Sequence, residues 1–239
     1  MSLLLLAALS MGACRSPSSD GTAPRPEPSA DALHGRVTVA GKDASDAEVL
    51  VVRGGQVIAV LKASPAFEIP PELAAACAEL RWIVRLTAPL GVVAAQPPKS
   101  CRGAFEVAID ASRVATLRGA LLAPSGVTLD WVDVKLTPRV PEIDPTLVLA
   151  DGPNPNLREA LSVSRQTKAA FELPVLTGTW WLAADRTIDA PVGTKTGNLR
   201  LESVTSSGSG APRAEFGGYT LEIAADTDVK LTLREADGP

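Results

Sequence analysis

Beyond residue 32 the chain is a series of short apolar segments, most of them ended by Gly, Pro, Asp or Ser. The segments 34–40, 47–53 and 56–61 are rich in Val, Ile and Leu, and the last two flank the pair Gly54-Gly55. Short apolar or alternating runs between such residues predict β-strands, and a Gly-Gly pair between two runs predicts a hairpin. The pattern therefore predicts an all-β fold.

The rest of the first half follows the same pattern. Three further strands are predicted, at 66–69, 81–87 and 104–109. One or two helical turns are predicted at 70–80, where prolines at a helix start are followed by alanines. The segment 88–100 is apolar but contains Pro89, Gly91 and two later prolines, so we expect an irregular crossing there.

The second half repeats the order of segments seen in the first. The motif Ala66-Phe-Glu-Ile-Pro70 recurs as Ala170-Phe-Glu-Leu-Pro174, and each copy lies downstream of a strand that begins Leu-x-Gly, at Leu33 and at Leu117. Matches that recur in the same order indicate a tandem duplication. We therefore predict two tandem antiparallel β-sandwich domains, at 33–112 and 113–239.

The second half also resembles a known family. The residues that carry the resemblance are Gly119, Val132, Val134, Phe171, Leu173, Gly178 and Trp180. They follow the order of the carboxypeptidase regulatory-like family, a transthyretin-type sandwich, over about residues 117–185, and the segment 33–70 resembles it more weakly. These positions form the fold, so the resemblance implies no chemistry. Tandem modules of this family usually act as spacers, adhesion units or accessory domains.

The first residues of the chain predict where the protein is located. The apolar run Leu3–Met11 is far shorter than the ~20 residues of a membrane-spanning helix, and Gly12 and Ala13 separate it from Cys14. This arrangement resembles the lipobox of bacterial lipoprotein signal peptides, which implies a signal peptide at 1–13 and lipid, including palmitate, on Cys14. A plain secretory signal, or a buried strand at the start of the chain, are the alternatives.

The segment 14–32 is rich in Pro and Ser and has almost nothing apolar to bury, so it is predicted to be a disordered tether. Acyl chains contribute about 0.8 kcal/mol per buried methylene, so a lipid on Cys14 would hold the protein at a membrane. Arg15 rather than Asp follows this cysteine. By the sorting pattern familiar from enteric bacteria, that residue implies a protein of the cell envelope anchored in the outer membrane.

Two more cysteines lie in the first predicted domain. Because an exported protein meets an oxidising compartment, Cys77 and Cys101 are predicted to form a disulfide bond. The alternative is that Cys77, among alanines, is a buried small residue. Two cysteines with the single histidine His34 do not favour a zinc site.

Composition and motifs point away from several function classes. A net charge of −4 does not favour a nucleic-acid partner, which needs a basic face. The sequence contains no Gly-x-Ser-x-Gly, phosphate-binding loop or dinucleotide motif, so we predict a non-enzymatic protein without a cofactor. Two loops with paired aspartates could bind Ca²⁺, although such spacing is common in ordinary turns; these pairs are Asp43 with Asp46 and Asp226 with Asp228.

Two features are candidates for a binding surface. Trp180 and Trp181 are neighbours in a predicted strand, so one should point into the core and the other outward. The outward residue could contact a sugar or a partner, or be covered by the long loop 140–164. That loop is longer than a strand connection needs, and it is the most distinctive predicted surface of the second domain.

These observations predict a cell-envelope lipoprotein that serves as a binding or structural module for a protein partner or a polysaccharide at the outer membrane. An accessory or degenerate hydrolase is one alternative. A lipoprotein subunit of a secretion apparatus is the other.

Overall fold

The computed structural model describes residues 33–54, 56–63, 66–95, 104–140, 148–149, 161–186, 197–208 and 210–236. The leader at 1–13 and the tether at 14–32 lie outside these residues, so both stay predictions. Within the described ranges, no helix is long and apolar enough to cross a membrane.

The first half forms eight strands within its described residues. They are β1 (Leu33–Val39), β2 (Lys42–Asp43), β3 (Ala47–Arg53), β4 (Gln56–Ala63), β5 (Ala66–Ile69), β6 (Arg81–Thr87), β7 (Leu90–Ala95) and β8 (Ala104–Ile109). The predicted hairpin is confirmed, because β3 pairs antiparallel with β4. The predicted helical turns are confirmed as a short helix, α1 (Pro71–Ala75), followed by a 3-10 turn at Cys77–Glu79.

The expectation of an irregular crossing at 88–100 is wrong for residues 90–95. These form β7, which pairs along its whole length with β6 after a turn that contains the cis peptide bond Ala88–Pro89. Pro89 lies in the turn, so its missing N–H does not interrupt the pairing of β6 with β7. Proline therefore marked the start of a strand here.

The second half forms ten strands within its described residues. They are β9 (Val114–Leu122), β10 (Val132–Arg139), β11 (Val148–Leu149), β12 (Val163–Thr167), β13 (Ala170–Leu176), β14 (Gly178–Arg186), β15 (Leu199–Ser207), β16 (Arg213–Glu215), β17 (Gly218–Ile223) and β18 (Thr227–Glu235).

The two halves pair their strands in the same way. In the first half β1 pairs antiparallel with β5 and parallel with β8, and β3 lies between β4 and β6. In the second half β9 pairs antiparallel with β13 and parallel with β18, and β10 lies between β12 and β14. The order of pairing thus repeats, in agreement with the repeat read from the sequence.

A glycine and a phenylalanine occupy the same place in each half. Gly35 lies opposite Phe67 in the β1/β5 pair, and Gly119 lies opposite Phe171 in the β9/β13 pair. A Cβ atom on Gly35 would lie 1.9 Å from the Phe67 ring, and one on Gly119 would lie 2.1 Å from the Phe171 ring. Each ring therefore lies over its glycine, where any side chain would collide with it.

Each half encloses a core of aliphatic residues. In the first half the strands β1, β5 and β8 pack against β3 and β6 around the buried residues Val37, Val49, Trp82 and Phe105. In the second half β9, β13 and β18 pack against β10 and β14 around Leu117, Val134, Trp180 and Leu231. The molecule is an all-β protein built from packed sheets, as predicted. One of its sheets runs through both halves, because β7 pairs with β13.

Candidate binding surface

The two tryptophans of β14 point to opposite faces of their sheet, as the alternation of a strand predicts. Trp180 points into the second core with 2% of its surface exposed, and its indole Nε1–H donates to the carbonyl oxygen of Leu176 at 2.9 Å. Trp181 lies half-buried on the other side of the sheet. We call the side of β10, β14 and β17 that carries Trp181 the outer face.

The ring of Trp181 is packed against a glycine of the neighbouring strand. A Cβ atom on Gly218, the first residue of β17, would lie 2.8 Å from Cε2 of Trp181. On either side of Trp181 the paired residues are Thr137 of β10 and Thr220 of β17. A side chain at position 218 would also collide with the carbonyl oxygen of Leu182, 2.4 Å away, so glycine is required where the ring and this backbone meet.

An ion pair extends over the same face. The guanidinium of Arg139 in β10 donates to the carboxylate of Glu215 in β16. These two strands are not neighbours, since β14 and β17 lie between them. The two side chains must therefore reach towards each other across the outer face, where Trp181 lies. The Nε atom of Arg139 and the hydroxyl oxygen of Thr220 are buried there.

The hairpin that supplies Glu215 has an aromatic residue at its tip. Phe216 and Gly217 form the turn between β16 and β17, because Glu215 pairs with Gly218. Gly217 has a φ of 75°, a value that favours glycine in such turns. Phe216 is completely exposed. We call residues 213–223 the Phe216 hairpin.

The remaining polar residues of the outer face are arranged in cross-strand pairs. Thr179 donates its hydroxyl hydrogen to Glu222 at 2.6 Å. At the other end of β14, Asp185 lies directly opposite Asp133. Partial desolvation by the surrounding sheet, together with the neighbouring charge of Asp133, raises the pKa of the Asp185 carboxyl above its ordinary value, while Lys135 and Arg200 oppose that shift.

A buried arginine closes one end of the second core. Arg186 is 5% exposed and donates to Asp130 Oδ1 at 2.6 Å and to the carbonyl oxygen of Gly197 at 2.6 Å. Hydrogen bonding to its own backbone N–H, with smaller contributions from Trp131 and Arg186, lowers the pKa of the Asp130 carboxyl. The donors of this guanidinium are thus used by groups of the second half itself.

The loop at 140–164 packs against the first half at those of its residues that the structure describes. The strand β11 pairs parallel with Gln56 and Val57 of β4. Leu161 is buried in a cluster on the outside of the first sandwich, formed by Leu50, Val52, Val57, Ile83 and Val92. Residues 141–147 and 150–160 lie outside the described residues. The described residues of the loop therefore contact the first half, whereas the sequence predicts a surface for a partner.

The cover of Trp181 by the loop 140–164 stays a prediction, since residues 141–147 and 150–160 of that loop lie outside the described part of the chain. Its described end, at Leu161 and Val163, lies beside Trp180 at a cleft between the two halves. Against Trp181 the structure places Gly217 and Gly218, and across the same face the ion pair of Arg139 with Glu215. The sequence contains a signal for the contact of Leu161 with the first half, since the uninterrupted apolar run of β3 is typical of strands buried on both faces.

The other predicted site residues are dispersed. Cys77 is buried, and residue 101 lies outside the described part of the chain, so a disulfide between Cys77 and Cys101 stays a prediction. His34 lies half-buried in β1. Cys14 falls outside the described residues, and its lipidation stays a prediction as well.

One aspartate of each pair considered for Ca²⁺ has a protein partner. Asp43 accepts a hydrogen bond from the guanidinium of Arg36 at 2.6 Å. Asp226 accepts one from the backbone N–H of Thr116 at 2.8 Å and lies 3.7 Å from the guanidinium of Arg118. The described residues contain no group of three or more His, Cys, Asp or Glu side chains that could hold a metal ion.

No family model matches the chain, and no curated protein matches it. Among solved structures it is similar to a leucine-rich repeat protein from Bacteroides thetaiotaomicron, with 12% identity over 87% of this chain and 27% of that one and a TM-score of 0.26. The Bacillus anthracis TIE protein matches with 10% identity over 84% of this chain and 33% of that one, at a TM-score of 0.27.

A Streptococcal ancillary pilin matches with 11% identity over 86% of this chain and 63% of that one, at a TM-score of 0.25. The chain thus spans about a third or less of the first two of these structures. All three TM-scores are below 0.5, so these likenesses say nothing about function.

Proposed function

We propose that the chain is a non-enzymatic binding module of the bacterial cell envelope, held at the outer membrane by lipid on Cys14. The Phe216 hairpin is the part that contacts a protein partner. The Pro- and Ser-rich segment 14–32 would let the folded region reach that partner at a distance from the bilayer.

The exposed ring of Phe216 carries the proposal. Burial of a phenylalanine side chain contributes about 1.5–3 kcal/mol, which Phe216 does not gain within the chain because its side chain is completely exposed. The residue follows a paired strand in a two-residue turn, so its backbone is held in place by the hairpin. A rigidly presented aromatic residue is the type of anchor that contributes most to protein interfaces.

The surroundings of Phe216 fit the rim of such an interface. The ion pair of Arg139 with Glu215 lies next to the turn, and its side chains are 38% and 35% exposed. Partly exposed charges around an aromatic anchor favour specificity and the rate of association more than affinity. Trp181 beneath them adds a large ring that a partner would cover further.

In-cell photo-crosslinking of the full-length protein tests the proposal. A benzoylphenylalanine at position 216 is compared with the same residue at Val60, which is 50% exposed on β4 of the first half. We expect one stoichiometric protein to crosslink from position 216 and not from position 60. The same set of proteins from both positions, or none from position 216, would contradict the proposal.

The binding of a polysaccharide is the alternative outcome of the same experiment. Glycan that co-purifies with the protein, with no crosslinked protein at position 216, would favour a carbohydrate role for the outer face. The substitution Phe216→Ser separates the two cases. It should abolish a protein contact at the hairpin, whereas glycan retention through Trp181 should respond to Trp181→Ala.

A further inference from the structure

The described residues of the two halves form a cleft where they meet. The cleft has a volume of about 240 Å³, and its apolar lining consists of Leu86, Leu90, Gly91, Pro138, Leu161, Val163 and Trp180. Leu86, Leu90 and Gly91 come from the first half, and the other four come from the second. We call this space the junction cleft.

The aliphatic and aromatic lining is firmly held. Leu86 and Leu90 are 2% and 3% exposed, and Leu161 is 6% exposed. Trp180 is anchored by the hydrogen bond from its indole to the carbonyl oxygen of Leu176. Side chains that are packed this closely on their other sides cannot collapse into the cleft without opening a gap behind them.

The polar groups of the junction cleft are engaged with other protein groups. The guanidinium of Arg85 donates to Glu48, and the hydroxyl of Thr87 donates to the carbonyl oxygen of Asp46 at 3.1 Å. The hydroxyl of Ser162 lies 2.6 Å from that of Thr137. A charged or strongly polar ligand would compete with these bonds, whereas an apolar ligand leaves them intact.

We propose that the junction cleft binds a small uncharged apolar molecule, such as a single aromatic ring with a short alkyl chain. An apolar protein cavity of about 150 Å³ stays dry and accepts benzene, so a volume of about 240 Å³ accommodates a somewhat larger molecule of this class. This site goes beyond the proposed function, because Phe216 and Trp181 do not line it.

Titration of the full-length protein with ethylbenzene tests the proposal. The readout is the indole N–H resonance of Trp180 in a nitrogen-15 spectrum, identified by its loss in Trp180→Phe. We expect this resonance to move saturably with ethylbenzene, while that of Trp82, which is buried in the first core, stays in place. A Trp180 resonance that does not move, or that moves without saturation, would overturn the proposal.

A filled cleft provides the second arm. Val163 also lines the cleft, and Val163→Phe places a ring in the space that the ligand would occupy. We expect its affinity for ethylbenzene to fall at least about tenfold, since even one methylene group changes binding in an apolar pocket by about that factor. The matched control is Val60→Phe, the same substitution on exposed β4 outside the lining.

Equal affinity of Val163→Phe and the wild type would show that ethylbenzene binds elsewhere, which overturns the proposal. If Val163→Phe does not fold, the smaller Val163→Leu takes its place with the same direction of effect. The wild-type titration decides the question in either case, and its failure leaves the crosslinking result at Phe216 untouched.

Discussion

Leu90 of β7 lies opposite Val175 of β13, in a parallel pairing that makes one sheet of strands from the two halves. Around this pair, each core includes a side chain from the other half. Leu90 of the first half is buried in the second core, and Leu176 of the second half is buried in the first. The predicted boundary at residues 112 and 113 remains a prediction, but the energetics of the two halves are coupled at this junction.

The substitution Gly119→Ala should destabilise the protein by about 1–3 kcal/mol, because an added methyl group displaces a packed ring. The new Cβ atom would lie 2.1 Å from Phe171. The measurement is the midpoint of urea unfolding at constant slope. Gly210→Ala is the control, since a Cβ atom there meets nothing within 4 Å. Equal effects of both substitutions would contradict the packing of Phe171 on Gly119.

The substitution Leu161→Ala should cost about 2–5 kcal/mol, as expected for a buried leucine that leaves a cavity. It should also increase amide hydrogen exchange in β3 and β6, because Leu161 packs against Leu50 and Ile83 on the outside of these strands. Leu122→Ala, at a residue 47% exposed, serves as the control and should change stability by less than about 0.5 kcal/mol. Unchanged exchange in β3 and β6 would mean that Leu161 does not protect them.

The substitution Asp185→Asn should stabilise the protein slightly at neutral pH. The folded-state pKa of Asp185 is raised, so the folded protein binds the proton more tightly than the unfolded chain, and its stability falls as the pH rises through that pKa. Asparagine removes this loss, together with the repulsion from Asp133. Because the side chain is exposed and screened by solvent, we expect a gain of only about 0.3 kcal/mol.

The pH dependence is the decisive measurement for Asp185. The difference between wild type and Asp185→Asn in thermal unfolding should vanish below the ordinary pKa of aspartate, where both folded and unfolded states are protonated. It should also shrink at 1 M salt, where the Debye length is about 3 Å. A difference that persists unchanged into acid would show that the substitution acts through packing instead.

The substitution Cys14→Ser should move the protein from the membrane fraction to the soluble fraction, since it removes the sulfur atom to which lipid would be attached. The measurement is fractionation of cells that express each variant at the same level. Ser16→Ala, two residues further on, is the control and should stay with the membrane. If Cys14→Ser also remains in the membrane fraction, another part of the chain provides the attachment.

Much of the fold was accessible from local sequence patterns. The alternation in β14 correctly separated Trp180 from Trp181, and the Ala-Phe-Glu motif marked β5 and β13 as equivalent strands. The sequence does not predict β7, because proline and glycine usually interrupt strands, whereas here Pro89 lies in the turn and Gly91 gives room to Leu176. A glycine that is required for packing looks the same in a sequence as one that ends a strand.

The sequence by itself determined the all-β class, the repeat of strands and the opposite orientations of Trp180 and Trp181, because each depends on the periodicity of neighbouring residues. Only the tertiary structure decided that Leu161 covers the first sandwich and that Arg139 reaches Glu215, 76 residues away, over Trp181. Such contacts depend on which surfaces the packed sheets bring together. Periodicity says which face of a strand is apolar, and the rest of the fold decides what covers it.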